Sequence, residues 1–132
     1  MPRSKSAARV LLGTWRSDRK RTIAQWIYPK RLADDRRKHF EAIFGKLRYH
    51  YTATTLTSKL GARVSKGRYK ILWSQEGPIF PQILILVSSK DGEAVQHVYF
   101  DSPNSFYIHA GKCIEFFKRV RSNKSLQRTR AR

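Results

Sequence analysis

From Lys46 onward, turn signals recur at short intervals: Gly61, SKG at 65–67, EGP at 76–78, DG at 91–92, SPN at 102–104 and AGK at 110–112. Between them lie runs at 53–59, 68–74, 82–88, 94–100, 105–109 and 113–120, rich in the β-branched and aromatic residues that suit a pleated, half-buried surface. A parallel crossover needs a dozen or more residues, and from Lys46 onward no such connection is present, so these strands run antiparallel with tight turns. Asp91-Gly92 is the strongest hairpin signal. Upstream, Leu47, Tyr49 and Tyr51 alternate with Arg48, His50 and Thr52 across 46–52, and LLGTWRSD at 11–18 adds a further strand-like run. Eight short antiparallel strands can hide their edges by closing into an up-and-down β-barrel, which is the expected fold.

The period changes between the first strand and the second. Ile23, Trp26 and Ile27 stand at i, i+3 and i+4, with Ser17 or Asp18 available as a helix N-cap and Pro29 as a stop. A second helix opens on Asp34 and Asp35, shares one face among Phe40, Ile43 and Phe44, and ends at Gly45, where a left-handed residue belongs. A two-helix insert over 19–44 is therefore expected, lying as a lid over the barrel's open end. With 132 residues the chain suits one domain, over 10–121, between basic tails at 1–9 and 122–132. The tails hold too little apolar surface to offset the entropy of ordering and are expected to be disordered.

No run approaches the roughly 20 apolar residues of a membrane span. Val10 to Leu12 is far short of the roughly 7 to 15 apolar residues of a signal peptide. A soluble, cytoplasmic protein is the expectation. Cys113 stands alone, which excludes an internal disulfide and any cysteine-rich zinc motif.

Glycine weakens a strand interior and marks a bend or a close backbone approach, so Gly13 two residues before Trp15 implies a required geometry. In a closed barrel the first and last strands meet. Trp15 would then plug the closed end, Gly13 would let the chain enter there, and Arg119, or failing that Arg121, would lie over the indole. Gly13-Thr14-Trp15 together with the late arginine resembles the lipocalin and fatty-acid-binding-protein (calycin) superfamily. The stretches LLGTWRSD, IFGKLRYHYT and CIEFFKRV are similar to small bacterial lipocalin-like proteins of unassigned activity. That resemblance implies a cavity for a small hydrophobic or amphipathic molecule.

Alternate residues of each strand would line such a cavity. Tyr49, Tyr51, Tyr69, Ile71, Trp73, Phe106 and Ile108 form the inward sets, while on 94–100 Val95, His97 and Tyr99 compete with Ala94, Val98 and Phe100. The candidate ligand contacts are Tyr49, Tyr51, Tyr69, Trp73, His97, Tyr99, Phe106 and Glu115; the same residues can equally fill a solid core. Glu115 within CIEFFKRV points either to solvent or inward to a polar partner. His97, His109 and Cys113 make no metal-ligand spacing, and no nucleophile–base pattern is present, so neither cofactor, metal nor catalysis is expected.

Charge supports a second function. The chain holds 28 Lys and Arg against 9 Asp and Glu, a net charge of +19. Arg19, Lys20, Arg21, Lys30, Arg31, Arg36 and Arg37 gather on the helical insert, beside Trp26 and Tyr28, where they could follow a nucleic-acid backbone or meet an anionic membrane surface. The same basic lid could attract an anionic ligand headgroup. A third expectation is a non-catalytic interaction protein with a filled core. The tail NKSLQRTRAR resembles the translated end of an integron gene cassette, which would make its charge incidental.

Overall fold

The computed structural model describes residues 9–28, 30–77, 79–110 and 113–120. Eight antiparallel strands close in sequence order into an up-and-down barrel: β1 (Gly13–Ser17), β2 (Leu47–Tyr51), β3 (Thr55–Leu60), β4 (Arg63–Gln75), β5 (Gln82–Ser89), β6 (Gly92–Ser102), β7 (Ser105–Ala110) and β8 (Cys113–Arg119). Closure is made by Trp15, Arg16 and Ser17 pairing with Arg119, Lys118 and Phe117. Helices α1 (Arg19–Gln25) and α2 (Asp34–Glu41) fill the connection from β1 to β2. The basic tails lie outside the described residues, except that Arg9 already belongs to a helical turn over 9–11.

Several local expectations are corrected. The strand-like run at 11–18 is shorter, because the chain is helical through Leu11 and β1 starts only at Gly13. SKG at 65–67 is no turn: it lies inside β4, and the turn is at Gly61, where φ is +61°. A Cβ on Gly67 would come within 2.7 Å of the Ser88 carbonyl, so this glycine marks close strand approach. Helix α1 is capped by Asp18, whose Oδ1 accepts from the Arg21 amide at 3.3 Å, but it stops at Gln25. Trp26 leaves the helix to pack on Phe40 and Phe44 at 5.5 and 4.9 Å, which leaves Ile27 exposed. Helix α2 likewise ends at Glu41, ahead of Gly45 at φ +89°.

The helical insert leaves the end of the barrel at Ser17 and is fastened sideways to β8. The Asp18 amide donates to the Phe116 carbonyl, the Phe116 amide to Thr22 Oγ1, and the Ile27 amide to Cys113 Sγ. Trp26, Phe40 and Phe44 thus form a small apolar cluster of their own, outside the barrel core.

The opposite end of the barrel is solid. Trp15 is fully buried, its Nε1 donates to the Leu11 carbonyl at 2.8 Å, and its ring meets Phe106 and Phe100 at 4.7 and 5.7 Å. The Arg119 guanidinium lies 4.2 Å from the indole centroid and donates to the Leu12, Val10 and Pro103 carbonyls and to Asn104 Oδ1. Gly13 is needed here on two counts. Its φ is +114°, and a Cβ would stand 3.2 Å from Arg119 Nη1. Arg121, the second candidate for the indole, lies outside the described residues.

Candidate functional site

Alternation in β6 decides what faces the interior. Val98 and Phe100 are buried, Gln96 receives the Tyr51 hydroxyl at 3.1 Å, and Ala94 continues that set. His97 and Tyr99 therefore lie on the outside, where His97 Nε2 meets Gln82 Oε1 at 3.1 Å and the two rings stack at 4.0 Å. Tyr107 extends this outer stack at 5.1 Å. Trp73 is outside as well. The β4–β5 register passes from Ile71↔Ile85 to Trp73↔Leu84, so Leu72 is an extra residue that shifts everything after it by one place. A bulge of this kind reverses the faces and leaves Trp73 44% exposed, 6.0 Å from His97.

The wall of the barrel parts between β6 and β7. Their ladder runs from Ser102/Ser105 through Phe100/Phe106 to Tyr99/Tyr107 and ends there. On one flank the β5–β6 ladder continues to Gly92, and on the other the β7–β8 ladder continues to Ala110/Cys113. Residues 92–98 of β6 thus pair on one side only. A cleft of about 500 Å³ occupies this opening: Tyr49, Leu56, Val87 and Ile108 wall it from the interior, Ala94 and Gln96 line the β6 side, and His97 and His109 stand at its lips. Neither helix contributes to its lining.

Beside Tyr49, Glu115 faces inward. It shares the parity of Phe117, pairs with Ile108, and receives the Ser17 hydroxyl at 2.8 Å. Burial pushes the Glu115 carboxyl above its ordinary range, and the Ser17 hydrogen bond opposes that rise. Burial also pushes the Tyr49 hydroxyl up to about 12; the Gln96 amide lowers it and the Glu115 carboxylate raises it further. The result is a short polar strip of Tyr49, Gln96 and Glu115 in an otherwise apolar interior, able to donate a neutral phenol proton and to accept at a carboxylate or an amide.

Of the candidate ligand contacts, the structure brings Tyr49 to the cleft and Glu115 beside it. Tyr51 lies beneath, 1% exposed and joined to the strip through Gln96. Tyr69 and Phe106 belong to the packed core, the Tyr69 hydroxyl being spent on the Thr52 carbonyl at 2.6 Å. Trp73 is on the outer surface, so its inward assignment is corrected; the open choice on 94–100 falls to Ala94, Val98 and Phe100, which leaves Tyr99 outside as no ligand contact and His97 at a lip of the cleft. Gln96, Ser17 and Val87 were missed by sequence reasoning. Of the three, only Gln96 had a signal, as the polar member of the even-numbered set on β6.

The cationic residues of the insert do not make one open face. Arg21 lies 3.9 Å over the Phe116 ring and pairs with Asp101 at 2.6 Å; Arg37 lies 4.4 Å over Tyr28 and pairs with Glu41 at 3.1 Å; Arg19 donates to the Glu41 carbonyl. The Tyr28 hydroxyl also binds the Glu41 carboxylate, and with Arg37 it holds that carboxyl below its usual range. Lys20, Lys30, Arg31 and Arg36 are exposed. Among the described residues no three His, Cys, Asp or Glu side chains gather as a metal site, and no helix is long and apolar enough to cross a membrane. Compared with protein-family models, with curated proteins and with solved structures, the chain matches none.

Proposed function

We propose that the barrel binds a small amphipathic molecule through the parted β6–β7 wall, as a lipocalin-like carrier or sensor without catalytic activity. The apolar part of the ligand would rest on Leu56, Val87 and Ile108, and its polar end would reach Tyr49, Gln96 and Glu115. The observation that carries this reading is the ladder ending at Tyr99/Tyr107, with a cleft of about 500 Å³ behind it, a size suited to one small ligand. The G-x-W strand with its arginine clasp supports kinship with the calycin superfamily.

The chemistry of the strip favours a neutral or cationic polar end. Among the described residues no Lys or Arg lines the cleft, and the inward carboxylate of Glu115 would repel a carboxylate ligand. An alcohol or an amine can donate to Glu115 and Gln96, so an anionic headgroup is disfavoured despite the basic exterior.

The test is displacement of a neutral fluorescent amphiphile by straight-chain alcohols, amines and carboxylates of equal length. Alcohols and amines are expected to compete at least tenfold better than the carboxylate. Filling the cleft with Ala94→Phe should abolish probe binding while leaving thermal stability nearly unchanged, because Ala94 is exposed. Failure of every amphiphile to compete, or undiminished binding in Ala94→Phe, would refute the reading.

A further inference from the structure

The outer face of β8, β1, β2 and β3 carries a row of cations that the pairing register makes continuous. Lys118 stands opposite Arg16, Arg16 opposite Arg48, and Arg48 opposite Lys59, one cation on each of four neighbouring strands at one level. All four are exposed, and none forms a salt bridge among the described residues. Strands lie about 4.8 Å apart, so the row runs about 14 Å straight across the sheet. Like charges directly opposite one another on neighbouring strands oppose folding, and three such pairs in succession are a cost that packing does not explain.

The surroundings extend the row into a trench. A hollow of about 500 Å³ over β1, β2 and β3 is lined by Arg16, Lys46, Arg48, His50 and Lys59. A second, of about 600 Å³, is lined by Arg16, Arg19, Lys20, Lys46 and Lys118. Arg16 and Lys46 belong to both, so the two are one feature. Asp18, the one acid among the described residues of the lining, is occupied in capping α1. The adjacent outward row, Thr14, His50, Thr57 and Lys66, is polar, with Thr14 Oγ1 and His50 Nδ1 at 2.8 Å.

We propose that this trench binds a single nucleic-acid strand by its phosphates, without sequence preference. A line of cations one strand-width apart complements a line of phosphates, and neighbouring threonine and histidine side chains offer hydrogen bonds to phosphate and sugar oxygens. A membrane-docking surface sets apolar side chains among its cations for insertion between lipids; here the four cations adjoin a row of polar groups, and the exposed apolar neighbour in register, Val64, stands at the end of the row beyond Lys59 and not among the cations. The site is separate from the β6–β7 cleft and uses none of its lining residues except Tyr49, which borders both.

The experiment measures binding of a labelled uridine dodecamer to the full chain over a range of salt concentrations. Each phosphate contact contributes about 0.7 to the slope of log affinity against log salt for a single strand. Arg48→Gln and Lys59→Gln are each expected to flatten the slope by about 0.7 and the double variant by about 1.4, whereas Lys90→Gln in the exposed β5–β6 turn, equal in charge change, leaves it unaltered. Melting temperatures of the row variants should equal or exceed that of the parent, because repulsion is relieved. Equal flattening by Lys90→Gln would mean diffuse attraction and overturn the proposal. So would an absence of oligonucleotide binding, or row-dependent binding only to vesicles containing anionic phospholipid.

Discussion

The two halves of the barrel are built from the same strands and do opposite things. At the closed half β6 and β7 are paired, Trp15, Phe106 and Phe117 are fully buried, and Arg119 spends its guanidinium on backbone carbonyls and on Asn104 Oδ1. At the parted half β6 lacks its β7 partner, Ala94 is exposed, and a carboxylate and a tyrosine hydroxyl face inward with their ionisation displaced by burial. Stability is concentrated where the polar groups are satisfied. Binding capacity is left where they are not packed away, in keeping with the general finding that ligand-binding regions come from the less stable parts of a fold.

Truncating the plug should produce the largest effect. Trp15→Ala removes a fully buried indole and the hydrogen bond to Leu11, and is expected to cost about 3–5 kcal/mol in denaturant unfolding. Arg119→Met keeps the stem over Trp15 but abandons the carbonyls of Leu12 and Val10, at about 2–3 kcal/mol. Gly13→Ala places a Cβ at a positive φ and against Arg119, for about 1–3 kcal/mol. If any of the three melts with the parent protein, the closed half is not what holds the barrel together.

A matched pair sharpens the contrast with one chemical change. Val98→Ala empties a site with no exposure in the core and is expected to cost about 2–3 kcal/mol, transfer and cavity together. Val87→Ala removes the same methyl groups beside a cleft that is already open, so no new cavity forms and about 1 kcal/mol is expected. Equal losses in urea titrations would mean that the cleft is closed in solution. A larger probe affinity in Val87→Ala, from the added room, would support the binding role.

The strand number, the antiparallel order, the helical insert and the clasp of Trp15 by Arg119 were legible in the chain because each rests on local period or on two residues with few other partners. Tyr49 and Tyr51 were legible for the same reason, since β2 alternates without interruption. Trp73 was not, because alternation counts residues and the bulge at Leu72 adds one. His97 and Tyr99 were ambiguous because both parities of 94–100 are apolar enough to be inward, and only packing against β5 chooses between them. The parted ladder and the row Lys118–Arg16–Arg48–Lys59 are hardest of all: each is a fact of register between separate segments, and no single segment records it.

Glu115 offers the smallest and most specific distinction between the halves. Its pKa is raised by folding, chiefly through burial, so the native state binds the proton more tightly than the unfolded chain. Native stability from this group is therefore present below the ordinary carboxylate range and is lost as pH rises through the raised value. Glu115→Gln keeps an acceptor for the Ser17 hydroxyl and removes the charge, so the variant should match the parent in acid and melt slightly higher at neutral pH, with the difference opening across that interval. Asp101 provides the opposite sign, because hydrogen bonds from Ser105 and Arg21 outweigh its burial and lower its pKa. Its contribution is lost as pH falls, and Asp101→Asn should be less stable at neutral pH and converge with the parent in acid. Melting curves of the two variants across pH 3 to 8 that bend in the same direction would show that Glu115 reaches water freely, and the polar strip would then lose its claim to be a desolvated binding surface.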